Sequence, residues 1–255
     1  VSGATVLSLS CVHRSSLSAP CLAGEDVAKY KGRYDAGYGE IQKVRYQRMV
    51  DLQLLDPTLI LFASDNGACA EESGAHIKSD DIDEFGKVGS YETVGQNWAT
   101  VQNTPMRYWK NYSHEGAINT PFIVSWPEKI KEVGGFYREP AHFIDVMPTL
   151  VDLSGATYPV TFNGQVITPM QGTSLLLAFE KQPLARENPL FWQWKKGGAV
   201  RVGAIKAVFF SGKWELFDFS KDRNESNDLS AKYPEQLQRM KRMWTEWYHS
   251  ADAGK

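Results

Sequence analysis

An α/β fold is predicted by three features of this 255-residue chain: short apolar runs with strand character, amphipathic stretches beside them, and a C-terminal part built from aromatic and β-branched strands. The first run, Thr58-Leu59-Ile60-Leu61-Phe62-Ala63, is bounded by Pro57 and Gly67, and its brevity fits a fully buried strand better than a helix. Ahead of it, Ile41, Val44, Met49 and Leu52 are interleaved with charged residues, so residues 35–55 read as an amphipathic helix packed beside that strand. Residues 73–103 are polar and rich in Gly and Asp, which predicts a long surface loop. Its acidic group, Asp80, Asp81, Asp83 and Glu84, lacks the glycine and terminal glutamate of a calcium loop and reads as a solvated face. Residues 122–126 form a second buried strand ended by Pro127, and residues 144–153 a helix.

Charged residues and Pro183 interrupt this pattern at 181–188, where a boundary is expected. Beyond it, residues 190–194, 199–210 and 214–219 predict a small antiparallel sheet, with Ser211-Gly212 as a hairpin turn. Pro234 then opens a helix whose Leu237, Met240, Trp244 and Trp247 share one apolar face.

Composition narrows the function classes. A net charge of -2 with interspersed signs offers no electrostatic footprint for nucleic acid. Cys11, Cys21 and Cys69 cannot all pair within one chain and lack the spacing of a zinc site. The apolar, serine-rich stretch at 4–11 is too brief to span a membrane, and no basic segment precedes it as in a signal peptide. No membrane or nucleic-acid partner is therefore expected. Asn111-Tyr112-Ser113 and Asn224-Glu225-Ser226 match glycosylation acceptors, a pattern that chance supplies often.

The end of the first strand carries the clearest chemistry. Asp65 and Asn66 offer a carboxylate and an amide oxygen, the hard donors that Ca²⁺ or Mg²⁺ prefers, and the backbone freedom of Gly67 is expected to let them converge. Taken alone, the triplet is also an ordinary turn. Downstream stand Thr104-Pro105-Met106-Arg107, Lys110, His114-Glu115-Gly116, Thr120-Pro121 and Trp126-Pro127. They are joined by Phe143-Ile144-Asp145-Val146-Met147-Pro148-Thr149-Leu150 and by Trp214-Glu215-Leu216-Phe217-Asp218-Phe219 with Asp222, Glu225 and Asp228; upstream lies Lys29-Tyr30-Lys31-Gly32-Arg33-Tyr34. Together these motifs, from about Glu25 to about Tyr248, resemble the type I sulfatases (arylsulfatases) of the alkaline phosphatase superfamily.

The resemblance implies a partial alkaline-phosphatase-like sulfatase core over residues 25–187, a C-terminal antiparallel sheet plus helix over 188–255, and a divergent segment at 1–24. It implies that Asp65 and Asn66 ligate Ca²⁺ and that Lys110, whose ammonium is a compact charge, has the catalytic role of binding the sulfate oxygens. All three are then expected in one site. His114 is implied beside the substrate, although on chemical grounds it reads better as a residue that orders its loop, as does Glu115. His142 reads as a packed or hydrogen-bonded histidine, Asp145 as a helix cap and Asp152 as a solvated carboxylate.

Departures from the family pattern are equally legible. The family's nucleophile is formylglycine, made from the first residue of a Cys/Ser-x-Pro-x-Arg motif, and that motif is absent, as is the N-terminal Asp-Asp pair of metal ligands. Two ligands fall well short of the roughly six to eight oxygens that Ca²⁺ favours. Ala117 replaces the family's second glycine, a substitution that would strain the loop if the site needed positive φ. The implied function is a sulfuric ester hydrolase acting on a sulfate-ester small molecule or sulfated glycan, inactive as this isolated chain. The alternatives are a phosphate-ester hydrolase of the same superfamily, or a non-catalytic remnant keeping an anion- or protein-binding surface. A periplasmic or secreted location is implied by resemblance alone, and the oligomeric state is left open.

Overall fold

A computed structural model describes residues 4–10, 43–44, 47–48, 51–52, 58–71, 94–131, 134–195 and 197–252. Two sheets organise it. The first has the order β2-β3-β1-β4, formed by Ala4–Ser10 (β1), Ile60–Ala63 (β2), Asn119–Ser125 (β3) and Phe136–His142 (β4). β3 is antiparallel to both β2 and β1, with Leu61 opposite Val124 and Val6 opposite Ile123, while β1 runs parallel to β4. Ala4–Ser10, from the apolar stretch too brief for a membrane, thus supplies an inner strand of this sheet.

β3 alternates as a strand with one face on the core must: Thr120, Phe122 and Val124 are buried, while Pro121 is exposed. Phe122 and Val124 cluster with Tyr137, Ala141, Leu175 and Phe179. β2 differs from the expected fully buried strand. It is one of the two outer strands among the described residues, and Phe62 is 61 % exposed. A continuous apolar run cannot distinguish an inner strand from an edge, because both need one apolar face.

Two other expectations are altered. Most of the helix read over 35–55 lies outside the described residues; 43–44, 47–48 and 51 are helical, but Val44 and Leu52 are exposed rather than packed. Within the polar stretch 73–103, the part from Gly95 to Asn103 is a helix (α1), not loop. Its sequence is poor in strong helix formers, and only Ala99 is buried, so tertiary context rather than propensity sets it. The acidic group at 80–84 lies outside the described residues.

The turn Glu115–Ile118 (α2) precedes β3, and a 3₁₀ turn at Phe143–Asp145 leads into the helix Val146–Ser154 (α3). α3 stops at Gly155, whose φ of 65° supplies the left-handed cap that glycine adopts without steric cost. A small ladder, Thr161–Phe162 (β5) with Gln165–Val166 (β6), and the turn Leu176–Phe179 (α4) follow.

The second sheet, of order β10-β9-β8-β7, is an antiparallel meander of Leu190–Trp194 (β7), Gly197–Val202 (β8), Ile205–Phe210 (β9) and Lys213–Asp218 (β10). The run read as one strand over 199–210 is two, broken at Gly203 with φ 57°. Ser211 and Gly212 both have positive φ, as a two-residue hairpin of this hand requires. Pro234–Asp252 (α5) crosses the sheet. Leu237 and Met240 pack with Val200, Ala207 and Leu216, the Trp244 Nε1–H donates to Trp192 O at 2.9 Å, and Trp247 stacks on Phe191.

Candidate functional site

β2 delivers Ser64, Asp65 and Asn66 to the end of the first sheet. The turn is fixed from β3, where Ser64 N–H donates to Pro121 O and Thr120 Oγ1 donates to Ser64 O. Gly67 N–H donates to Ala117 O at 2.9 Å. Gly67 is not at positive φ. Its role is close approach: an added Cβ would lie 1.8 Å from Gly116 O, and one on Gly116 would lie 2.1 Å from Tyr108 O. Two glycines therefore let the Asp65 turn and the 107–117 loop touch backbone to backbone, which replaces the expectation that Gly67 serves through its dihedral freedom.

That contact continues to Lys110. Ala68 N–H donates to Asn103 Oδ1, and Lys110 N–H donates to Ala68 O at 3.0 Å. Asp65 is exposed and Asn66 half-buried, and both face Asn111, Tyr112 and Trp194 across a small cavity. Trp194 Nε1–H donates to Asn111 Oδ1, so the C-terminal sheet closes this rim. The Lys110 ammonium lies 3.0 Å from Glu71, whose other oxygen accepts from Asn111 at 2.7 Å. These bonds from Asn111 and Lys110 hold the Glu71 carboxyl below its usual range. An anion entering here must displace Glu71 from the lysine.

His114 sits elsewhere. It is 1 % exposed, and its Nε2 meets Glu215 Oε2 at 3.1 Å. Tyr108 and Asn111 have φ of 62° and 81°, so the segment from Lys110 to His114 is not helical and the two side chains do not share a helical face. The hydrogen bond from His114, with Lys213 and Arg107, holds the Glu215 carboxyl at about 2. Ala117 lies in α2 without positive φ, so alanine carries no strain there.

The interior charges that sequence reasoning missed lie behind this loop. Lys206, 0 % exposed, pairs with Glu115 at 2.7 Å and Glu225 at 2.8 Å. Glu225 also accepts from Glu115 N–H, and Arg107 donates to Glu225 O. The available signal was a lone lysine inside the apolar strand Ile205-Lys206-Ala207-Val208. Asp145 makes no side-chain cap of α3; it accepts from His142 N–H at 2.7 Å at the start of the 3₁₀ turn, is buried, and is bridged by Arg186, whose Nη1 lies 3.0 Å from Oδ1. His142 is packed against Trp192 and accepts from Ile144 N–H; burial, with Arg186 nearby, pulls its pKa down to about 3.

The fit to Ca²⁺ is incomplete. Sulfatases generally use Ca²⁺, and Asp65 and Asn66 are the right kind of ligand, but among the described residues no group of three His, Cys, Asp or Glu could hold a metal ion. These residues alone do not make a calcium shell. Among the described residues no helix is long and apolar enough to cross a membrane.

Comparison with known proteins agrees with this architecture. Residues 106–250 match the family model described as N-sulphoglucosamine sulphohydrolase, C-terminal, and residues 46–156 match the sulfatase model. An arylsulfatase of Klebsiella aerogenes is 33 % identical over 128 residues, covering 46 % of this chain and 27 % of that protein. Human arylsulfatase A is 28 % identical over 207 residues, covering 75 % of this chain and 34 % of its own length. The chain thus spans about a third of the length of such relatives. The crystal structure of Ps i-CgsB in complex with k-i-k-neocarrahexaose superposes with a TM-score of 0.59 at 23 % identity, covering 79 % of this chain and 38 % of that one. The family match covers more than half of the sequence and contains both the Lys110 loop and the C-terminal sheet, so the chain belongs to the sulfatase family.

Proposed function

We propose that this chain forms the C-terminal part of a sulfuric ester hydrolase site, with Lys110 binding the sulfate oxygens of a small sulfate ester or a sulfated glycan. Asp65 and Asn66 would supply two of the oxygen ligands for Ca²⁺, which when bound would add positive charge facing the same sulfate. One observation carries the reading: the bond from Lys110 N–H to Ala68 O fastens the lysine loop to the segment that directly follows Asp65 and Asn66. An ammonium and two hard oxygen donors, if they face one ligand, suit a tetrahedral oxyanion. His114, buried against Glu215, orders that loop from beneath.

The nucleophile is the missing element. The sequence carries no formylglycine motif, and positioning with electrostatics does not replace an attacking group. The isolated chain is therefore expected to bind an aryl sulfate without turning it over. Equilibrium binding of 4-methylumbelliferyl sulfate tests the reading: Lys110→Ala should weaken it on the order of tenfold, the loss of one charge-assisted contact. Binding indifferent to Lys110→Ala would remove the lysine from the site. Robust release of the fluorophore, abolished by chelation and by Lys110→Ala, would show instead that the chain is catalytically complete.

A further inference from the structure

The geometry points to a second anion site: a cleft between β4, the 183–190 segment and the β8–β9 hairpin, in which Arg201 and Arg138 receive a small oxyanion, a carboxylate or a sulfate. The β7–β8 ladder separates it from the Lys110 rim. Trp194 pairs with Gly197 at the end held to Asn111, and Leu190 pairs with Arg201 at the other. Four residues of strand put the two ends about 14 Å apart.

Arg201 is set like a receptor rather than a surface charge. Its guanidinium lies 4.8 Å over the Phe219 ring and donates from Nε to Gly203 O at 2.9 Å, which fixes the plane of the fork. Its Nη1 and Nη2 have no acceptor among the described residues, although a guanidinium presents five donors and pairs best in bidentate fashion with a carboxylate-like anion. Burial lowers its pKa, and the push from Arg223 and Arg186 adds to this against the opposing pull of Glu115 and Glu225, both of which are already paired with Lys206.

The other cleft charges divide clearly. Arg186 is neutralised by Asp145, and Glu139 is engaged by Tyr137 and by Leu184 N–H. Arg138 is exposed with no acidic partner among the described residues, and so is Glu187 without a basic one. The remaining balance is two arginines against one exposed carboxylate at the rim. The planar fork favours an oxyanion over a point-charge ligand such as chloride.

The test is side-chain ¹⁵N–¹H NMR of the full chain labelled at arginine, titrated separately with sodium sulfate and sodium acetate at ionic strength held constant with sodium chloride. A saturable shift of the Arg201 Nε–H signal is expected with one or both anions. Saturation by sulfate alone would assign a sulfate group, by acetate alone a carboxylate, and by both the shared oxyanion chemistry. Arg201→Lys, read from the Arg186 Nε–H signal in the same cleft, should weaken binding about tenfold, since an ammonium cannot reproduce the fork. Arg138→Ala, at an exposed position that leaves the fold intact, should weaken it, and Glu187→Gln should strengthen it. Lys110→Ala should leave it unchanged, which separates this site from the proposed sulfate-ester site. No saturable shift with either anion, or saturation that survives both arginine substitutions, would overturn the proposal.

Discussion

Lys206 is the residue on which most buried charge depends. Its ammonium is enclosed with two carboxylates, one from the loop beneath Lys110 and one from the segment after the last strand. Removing one member of such a group leaves the others buried without compensation, so Lys206→Met should destabilise the fold by about 3–5 kcal/mol. The triple variant with Glu115→Gln and Glu225→Gln should recover part of that loss. Urea midpoints measure both, and a Lys206→Met chain as stable as the parent would mean that water reaches the group. His142 gives a pH signature. Its folded pKa of about 3 lies below the unfolded value of 6.5, so its contribution is present above pH 6.5 and is lost as pH falls toward 3. Between pH 7 and pH 5 the parent should lose about 2 kcal/mol more than His142→Gln, in which no ring must charge on unfolding. Equal losses in the two chains would place the ring in contact with water. At Glu71 the expectation is functional: Glu71→Gln frees Lys110 from its competing carboxylate and should tighten aryl sulfate binding, and weaker binding would make Glu71 part of the receptor.

Among the elements, α5 and the face it covers meet in a close steric fit at Gly198. A Cβ added at Gly198 would lie 2.5 Å from the Trp244 ring, so the glycine in β8 exists because the indole occupies its side-chain space. Gly198→Ala should cost about 1–3 kcal/mol by overpacking, and Trp244→Ala, at a partly buried ring, about 3 kcal/mol. The double variant should lose less than the sum, because alanine fills space that the indole has vacated. Strict additivity in chemical denaturation would show that the two do not touch. This element was legible in advance, since Leu237, Met240, Trp244 and Trp247 fall on one helical face and Pro234 marks its start. So was the hairpin at Ser211-Gly212. The break at Gly203 was not, because valine, glycine, alanine and isoleucine extend an apolar run whose turn is set by backbone dihedrals alone. Nor was α1, whose Gln, Asn and Thr residues carry no helical signal and whose exposed Trp98 gives no face to read. In the candidate site, the strand-end position of Asp65 and Asn66 was readable from the Gly67 punctuation. The approach of Gly116 to Gly67 was not, because a contact between backbones leaves no trace in side-chain pattern.

For the whole molecule, the boundary expected near 181–188 is crossed by both packing and charge. Ala117 and Ile118 share a cluster with Leu190, Trp192, Ala199, Val208 and Phe217, while Glu115 and Arg107 are bonded to Lys206 and Glu225. The loop carrying Lys110 therefore has no interior of its own; its underside is the C-terminal sheet. Sequence patterning divides the chain at the charged, proline-containing stretch because it records only local apolarity, and the pairing of residues some ninety positions apart has no local signature. A consequence is that the two parts should unfold together. Tryptophan fluorescence, weighted toward Trp192, Trp194, Trp214, Trp244 and Trp247, and backbone NMR signals of Gly67 and Gly116 in the rim should report the same urea midpoint. Glu225→Gln, which weakens the charge linkage without emptying the apolar cluster, should lower both midpoints by the same amount. A rim that melts at lower urea than the C-terminal tryptophans would mean that neither the apolar cluster nor the Lys206 group joins the two parts into one cooperative unit, and that the Lys110 loop is ordered only in part by the sheet beneath it.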